Sequence, residues 1–340
     1  MKLLLKLTAV VLCLALFLSA CGGSATPPES NIPSTPSEQG GEVSPPVENN
    51  DPQKTKEPSP YGDLLSQIGE TGKNLVALGD LKKDEYSSAL AELEKVLKGY
   101  SREVSLTVYS LDDYKALYYN TSAGIFSACA VKAPYSLYCC MQMEKGKATL
   151  DTEMVYEQKH YETGTGDMQY SPVGTAFDMR TIINKSMSIS DNVGYLMQVD
   201  YFGREGYNDY VSALGCDSLK IKPTVWSLYT KSHHLAVAWR EIYRYFETET
   251  ELSKFLYSTC TNTANNYATA ALEGVDVSHK QGHNRTGDWK SYSDAGIVWN
   301  GDNPYIIVVL TNAPGPSGSD AEFMADIINI VHNKLINSGK

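Results

Sequence analysis

Strand-like runs stand at two places in this chain, with about 150 residues of mostly helical pattern between them. Val104–Tyr109 and Tyr114–Tyr119 are rich in β-branched and aromatic residues, and the intervening Ser-Leu-Asp-Asp can turn a hairpin. Val275–Lys280, Ser293–Trp299 and Tyr305–Thr311 have the same character near the other end. An amphipathic helix is expected before the first group, over Lys83–Tyr100, with Tyr86, Leu90, Leu93, Val96 and Leu97 on one side. Another is expected after the last, over Asp320–Ile336, with Phe323, Ile327, Ile328, Ile330 and Val331 apolar. Between them, Met179–Met187, Asn192–Tyr201, Gly206–Leu214 and Ser232–Glu247 carry the helical period. The order is helix, two strands, helical block, three strands, helix. It predicts an α/β (α+β) domain: a five-stranded antiparallel sheet assembled from both ends, helices on its faces, and an inserted helical lobe. The sheet lobe would comprise 61–128 and 271–340, the helical lobe 129–270.

The first 60 of the 340 residues do not share this pattern. Met1–Ala20 holds two lysines, an apolar run from Leu3 to Leu18 and then small residues, the form of a secretory signal. Leu18-Ser19-Ala20-Cys21, followed by Gly22-Gly23, resembles a lipobox, which implies cleavage before Cys21 and its acylation. The alternative is a transmembrane anchor, but the run is shorter than the roughly 20 residues a span needs. Residues 21–60 are rich in Pro, Ser, Thr, Glu, Asn and Gly and hold almost nothing to bury. They read as a tether with an r.m.s. span of roughly 35 Å. The expected location is extracytoplasmic, lipid-anchored to the bacterial cell membrane. The net charge of −11 argues against nucleic acid as a partner.

Seven cysteines are present, at 13, 21, 129, 139, 140, 216 and 260. Five lie in the folding region, so at least one is free or pairs between molecules. Adjacent Cys139 and Cys140 face different sides of a helix. Cys129 and Cys139 on one helix would be about 15 Å apart, too far to bridge. A Cys216–Cys260 pair is geometrically open. No spacing resembles a metal site, and no cofactor is expected.

Three short motifs carry potential chemistry. Cys129-Ala130-Val131-Lys132 opens an apolar helical segment. Residues i and i+3 share a helix face, so the thiol and amine meet, and an adjacent ammonium lowers a thiol pKa. Ser127, five residues before Lys132, faces roughly 140° away. Alone, such a pair is more often inert packing, because cysteine is a common buried residue. Ser190-Asp191-Asn192 stands directly before a helix, where a capping role suffices to explain it. Lys280-Gln281-Gly282 follows a strand, where a surface lysine before a turn would suffice; Arg285-Thr286-Gly287 is a competing match. Lys280 is preferred because the strand leads straight into it.

Taken in order, nucleophile-x-x-Lys, S-D-N about 60 residues later, and K-x-G before a strand pair resemble class A β-lactamases and penicillin-binding proteins of the β-lactamase-like serine hydrolase family. Met143–Asp151 is similar to that family's turn after the nucleophile helix. Gly164-Thr165-Gly166 through Gly174-Thr175 is similar to its lead-in to S-D-N, and Asp294–Val298 to its strand after K-T-G. The resemblance spans about 100–312. It implies acyl transfer from a β-lactam or a D-Ala-type peptidoglycan peptide by a monomeric protein. Cys129 would be the nucleophile and Lys132 its activator. Ser190 and Lys280 would pass a proton to the leaving nitrogen. Asn192 would hold the substrate amide, and Gln281 and Gly282 the substrate backbone and carboxylate. The N–H groups of Cys129 and His283 would form the oxyanion hole. Three departures fall on catalytic positions: Cys129 replaces serine, Gln281 replaces threonine, and no acidic residue occurs over 218–240, where the deacylating glutamate is expected. These departures imply weak deacylation, or a degenerate homologue that binds muropeptide or lactam as a membrane-anchored sensor or scaffold.

Overall fold

The computed structural model describes residues 63–223, 228–264, 269–272, 274–316 and 318–338. The expected leader, the tether and Cys21 lie outside the described residues. The elements are, in order, β1 (Leu75–Gly79), α1 (Ser87–Gly99), β2 (Val104–Ser110), β3 (Lys115–Tyr119), β4 (Ile125–Phe126), α2 (Lys132–Glu144), β5 (Glu153–Val155), β6 (Ala176–Asp178), α3 (Met179–Ser188), α4 (Asn192–Phe202), α5 (Glu205–Ala213), β7 (Tyr229–Thr230), α6 (Ser232–Phe246), α7 (Glu251–Thr261), β8 (Asp276–Asn284), β9 (Ser291–Trp299), β10 (Tyr305–Thr311) and α8 (Ser319–Asn329).

The main sheet is antiparallel, in the order β1-β3-β2-β10-β9-β8. Its middle seam pairs β2 with β10, Val104 opposite Thr311 and Ser110 opposite Tyr305, so strands from the two ends of the folding region meet there. The sheet has six strands, one more than the sequence reading. The extra strand, Leu75-Val-Ala-Leu-Gly79, is short and lies at an edge, where few pairing residues are needed.

Both faces of the central strands are buried, as the alternation along β10 makes plain. Ile306, Val308 and Leu310 pack beneath the helical block, while Tyr305, Ile307 and Val309 pack against α1 and α8. Helix α6 covers the first face with Leu235, Ala236, Trp239 and Ile242. The first residue of that helix is tied to the sheet through buried hydroxyls: Ser232 Oγ lies 2.7 Å from Ser105 Oγ and 2.8 Å from Thr107 Oγ1. The C-terminal helix continues beyond Asn329 as a π-helical stretch, Ile330–Ile336. The open end of that stretch is capped by Lys115, whose Nζ donates to the Leu335 and Ile336 carbonyls.

Two local features differ from the sequence expectation and bear on function. Cys129 does not open an α-helix. It lies on a 3-10 turn, Ala128–Val131, and the α-helix starts anew at Lys132. Pro134 explains the break: it has no N–H to give to Ala130 and is tolerated in the first turn of α2. Strand β8 does not stop at Lys280 but runs through Lys280-Gln281-Gly282 to Asn284 at the sheet edge. All five cysteines of the domain are free and buried, so Cys216 and Cys260 do not pair. Among the described residues no helix is long and apolar enough to cross a membrane.

Candidate active site

The turn carrying Cys129 is wedged between two strands. On one side β4 pairs with the short β7, and Leu228 O accepts from both Ser127 N and Ser127 Oγ, each at 2.9 Å. The Ser127 hydroxyl is thereby committed to the backbone and is not a second nucleophile. On the other side lies β8. A Cβ added to Gly282 would sit 1.9 Å from Ser127 O, so only glycine lets the edge strand approach this closely. Between the two, Ala128 adopts φ +46°, an uncommon conformation for alanine. Strain of this kind persists only where the surroundings enforce it.

Lys132 is fully buried one helical turn on from the thiol. Its Nζ donates to Ser190 O at 2.6 Å, Asn192 Oδ1 at 2.8 Å and Asp191 O at 3.1 Å. It also lies 5.7 Å above the Tyr195 ring. Three oxygen acceptors match the three hydrogens of an ammonium. Burial pulls its pKa down, and the Cys129 thiolate opposes that pull. The Cys129 Sγ is 3.9 Å from Asn192 Oδ1. Burial pushes the thiol pKa up, but Lys132, Lys280 and hydrogen bonds from Ser190 and Lys132 together bring it below the ordinary value. The arrangement thus sets the thiol between two buried lysines that lower its pKa.

Ser190 has φ +61°, which turns its hydroxyl back toward β8 while its carbonyl holds Lys132. Lys280, also fully buried, donates to Ser190 Oγ at 3.0 Å, to Gln281 O at 3.2 Å and to Gln281 Oε1 at 3.3 Å. Burial lowers its pKa to about 8, with the Cys129 thiolate opposing and Lys132 adding to the shift. Asp191 does what a cap does: Oδ1 accepts from Gly194 N and Oδ2 from Met168 N, both at 2.9 Å. Capping and site assembly are thus both served by one tripeptide. Asn192 Nδ2 donates to Thr163 O at 2.9 Å, which fixes the side chain that faces the thiol and Lys132.

Cys129, Lys132, Ser190, Asn192, Lys280, Gln281 and Gly282 thus converge. The His283 side chain lies against Pro314 and Arg285, with Nε2 3.2 Å from Pro314 O and 3.2 Å from Arg285 Nε. Arg285-Thr286-Gly287 forms an exposed turn beyond β8, where Thr286 bonds Asn284. Sequence reasoning missed Thr165, whose Oγ1 donates to Ser190 O at 2.6 Å beside Lys132. It also missed the brace behind β8, where His279 Nδ1 lies 2.8 Å from Asp294 Oδ1 and its Nε2 meets Thr263 Oγ1. The Gly164-Thr165-Gly166 text carried the first signal; nothing local carried the second.

Residues 88–335 match the β-lactamase enzyme family. The chain belongs to that family. The fold is shared with PBP-A, at 18% identity and a TM-score of 0.65, over 73% of this chain and 95% of that one. It is shared also with a β-lactamase from Sphaerobacter thermophilus, at 17% identity and TM-score 0.61, over 72% and 96%. A mutant of PBP-A in an acyl-enzyme complex with penicillin G superposes with TM-score 0.64 at 18% identity, over 73% and 96%. No curated protein matches the sequence. Family and fold together make this a β-lactamase-like hydrolase at the level of general acyl transfer. At the positions that the sequence motifs single out, the chain carries a thiol and Gln281, and its 218–240 segment is free of acid. Residues 224–227 of that segment lie outside the described residues; Leu228 contributes a carbonyl to the nucleophile turn.

Proposed function

We propose that the protein is a thiol acyl-transfer enzyme acting on a β-lactam or a D-Ala-type cell-wall peptide, with slow deacylation. The Cys129 thiolate attacks the scissile carbonyl, and the oxyanion is held by the N–H groups of Cys129 and His283. When the C–N bond breaks, Lys280 passes a proton through Ser190 to the departing nitrogen. The product is a thioester on Cys129 and a free amine. Lys132, held by Ser190 O, Asn192 Oδ1 and Asp191 O, keeps Cys129 as thiolate or takes its proton. Gln281 uses its carbonyl oxygen on Lys280, which leaves its NH2 for the substrate carboxylate. Asn192 keeps one amide hydrogen for the substrate amide. The observation that carries this reading is the continuous contact from Lys280 through Ser190 to a thiol with a lowered pKa. A lysine with a pKa of about 8 is well suited to give up a proton near neutrality.

Incubation with penicillin G under reducing conditions, followed by intact mass spectrometry, tests it. The expected result is one adduct of the penicillin mass that disappears in Cys129→Ala. An unmodified wild type would refute it. A second reading, a pocket that binds without turnover, is favoured by the absence of any carboxylate in 218–240. Binding that is unaffected by Cys129→Ala, without any adduct on the wild type, would select it. The lipobox-like leader supports, in either reading, a lipid-anchored extracytoplasmic domain; labelling with a radioactive fatty acid that is lost in Cys21→Ala tests that location.

A further inference from the structure

Three aromatic side chains from separate elements meet next to the turn that carries Cys129. Phe126 ends β4, three residues before Cys129, so the two Cα atoms are within about 11 Å of each other. Its ring centroid lies 5.6 Å from that of Tyr229 on β7 and 6.4 Å from that of Trp289, in the turn between β8 and β9. Phe126 is nearly buried, but Tyr229 is 56% and Trp289 62% exposed. A single exposed ring is ordinary on a protein surface, but a cluster of three beside the Cys129 turn is a candidate binding surface.

The direction of β8 says which part of a substrate would reach it. Lys280, which serves the leaving nitrogen, comes first along the strand, then Gln281, then His283 at the oxyanion. The strand continues to Asn284 and enters the turn that carries Trp289. A substrate with its leaving amine and carboxylate at Lys280 and Gln281 therefore directs its acyl substituent toward Phe126, Tyr229 and Trp289. We propose that these three residues form a stacking shelf for a ring-bearing, uncharged acyl substituent. The shelf depends on the substrate orientation proposed above, but not on Cys129 being reactive.

The test uses the full chain carrying Cys129→Ala, so that only reversible binding is read. Calorimetric titration with benzylpenicillin, which carries a phenylacetyl group, is compared with 6-aminopenicillanic acid, which lacks it. The expected preference for benzylpenicillin is about tenfold, the order of one aromatic stacking contact plus its buried area. Adding Trp289→Ala should reduce that preference to below about threefold, with the affinity for 6-aminopenicillanic acid unchanged. Equal affinities before Trp289→Ala, no measurable binding of benzylpenicillin, or a preference that survives both Trp289→Ala and Tyr229→Ala would each overturn the shelf. Acylation of the wild type bears separately on the thioester chemistry, so failure of one is distinguishable from failure of the other.

Discussion

Lys280 should weaken the fold that it equips. Its amine is fully buried, and its pKa drops from 10.5 to about 8. At about 1.4 kcal/mol for each tenfold change in proton affinity, that drop corresponds to about 3 kcal/mol of lost stability near neutral pH. Lys280→Met keeps the length and removes the charge. It also removes hydrogen bonds to Ser190 Oγ, Gln281 O and Gln281 Oε1; two of the three are long, at 3.2 and 3.3 Å, so they offset part of the gain at about 0.5 kcal/mol each. A net stabilisation of about 1–2 kcal/mol remains, or roughly 2–6 °C in thermal midpoint for a domain of this size. The sign with pH follows from proton counting. Between pH 8 and 10.5 the unfolded chain holds a proton that the folded one has released, so wild-type stability rises with pH across that window. The gap between wild type and Lys280→Met should therefore close as pH rises toward 10.5. Thermal unfolding of both proteins at several pH values, together with penicillin labelling, measures this. A Lys280→Met protein that melts lower at pH 7, or a gap that does not move with pH, would refute the reasoning. The variant should lose acylation even as it gains stability.

Three further outcomes are expected. Iodoacetamide at pH 7 should modify Cys129 ahead of the other four cysteines, because burial raises the thiol pKa of Cys139 and Cys140 far above the ordinary range and of Cys216 and Cys260 to about 12; peptide mapping that finds Cys140 or Cys260 labelled first would contradict this. Gly282→Ala should slow acylation about 100-fold and cost about 1–3 kcal/mol, since its Cβ would meet the Ser127 carbonyl and one backbone segment must move; unchanged labelling kinetics would show that β8 need not press on the turn. Cys129→Ser should acylate at least about 100-fold more slowly than wild type, because a hydroxyl ionises far less readily than a thiol whose pKa is lowered; equal rates by mass spectrometry would show that Lys132 activates either nucleophile as a base.

Most of the architecture was legible because strands and helices leave different periods in the text, and the helical block has few strand-like runs. The sixth strand was not: five residues at a sheet edge, Leu75–Gly79, take their conformation from pairing with β3 and carry no strong pattern of their own. The exact path through Cys129 was not legible either, although Pro134 held the clue that an α-helix could not run unbroken through that point.

The linear text by itself determined the residue types at the site and their order: a thiol three before a lysine, then Ser190-Asp191-Asn192, then Lys280-Gln281-Gly282. Those are local facts, and so is the lack of acid over 218–240. Only the tertiary structure decided what state these groups are in. A lysine on a surface is simply a cation. Lys132 and Lys280 bear on the thiol because folding strips both of water and sets them around one sulfur. The field at that point is the sum of groups 60 to 150 residues apart in the chain, and no window of sequence contains that sum.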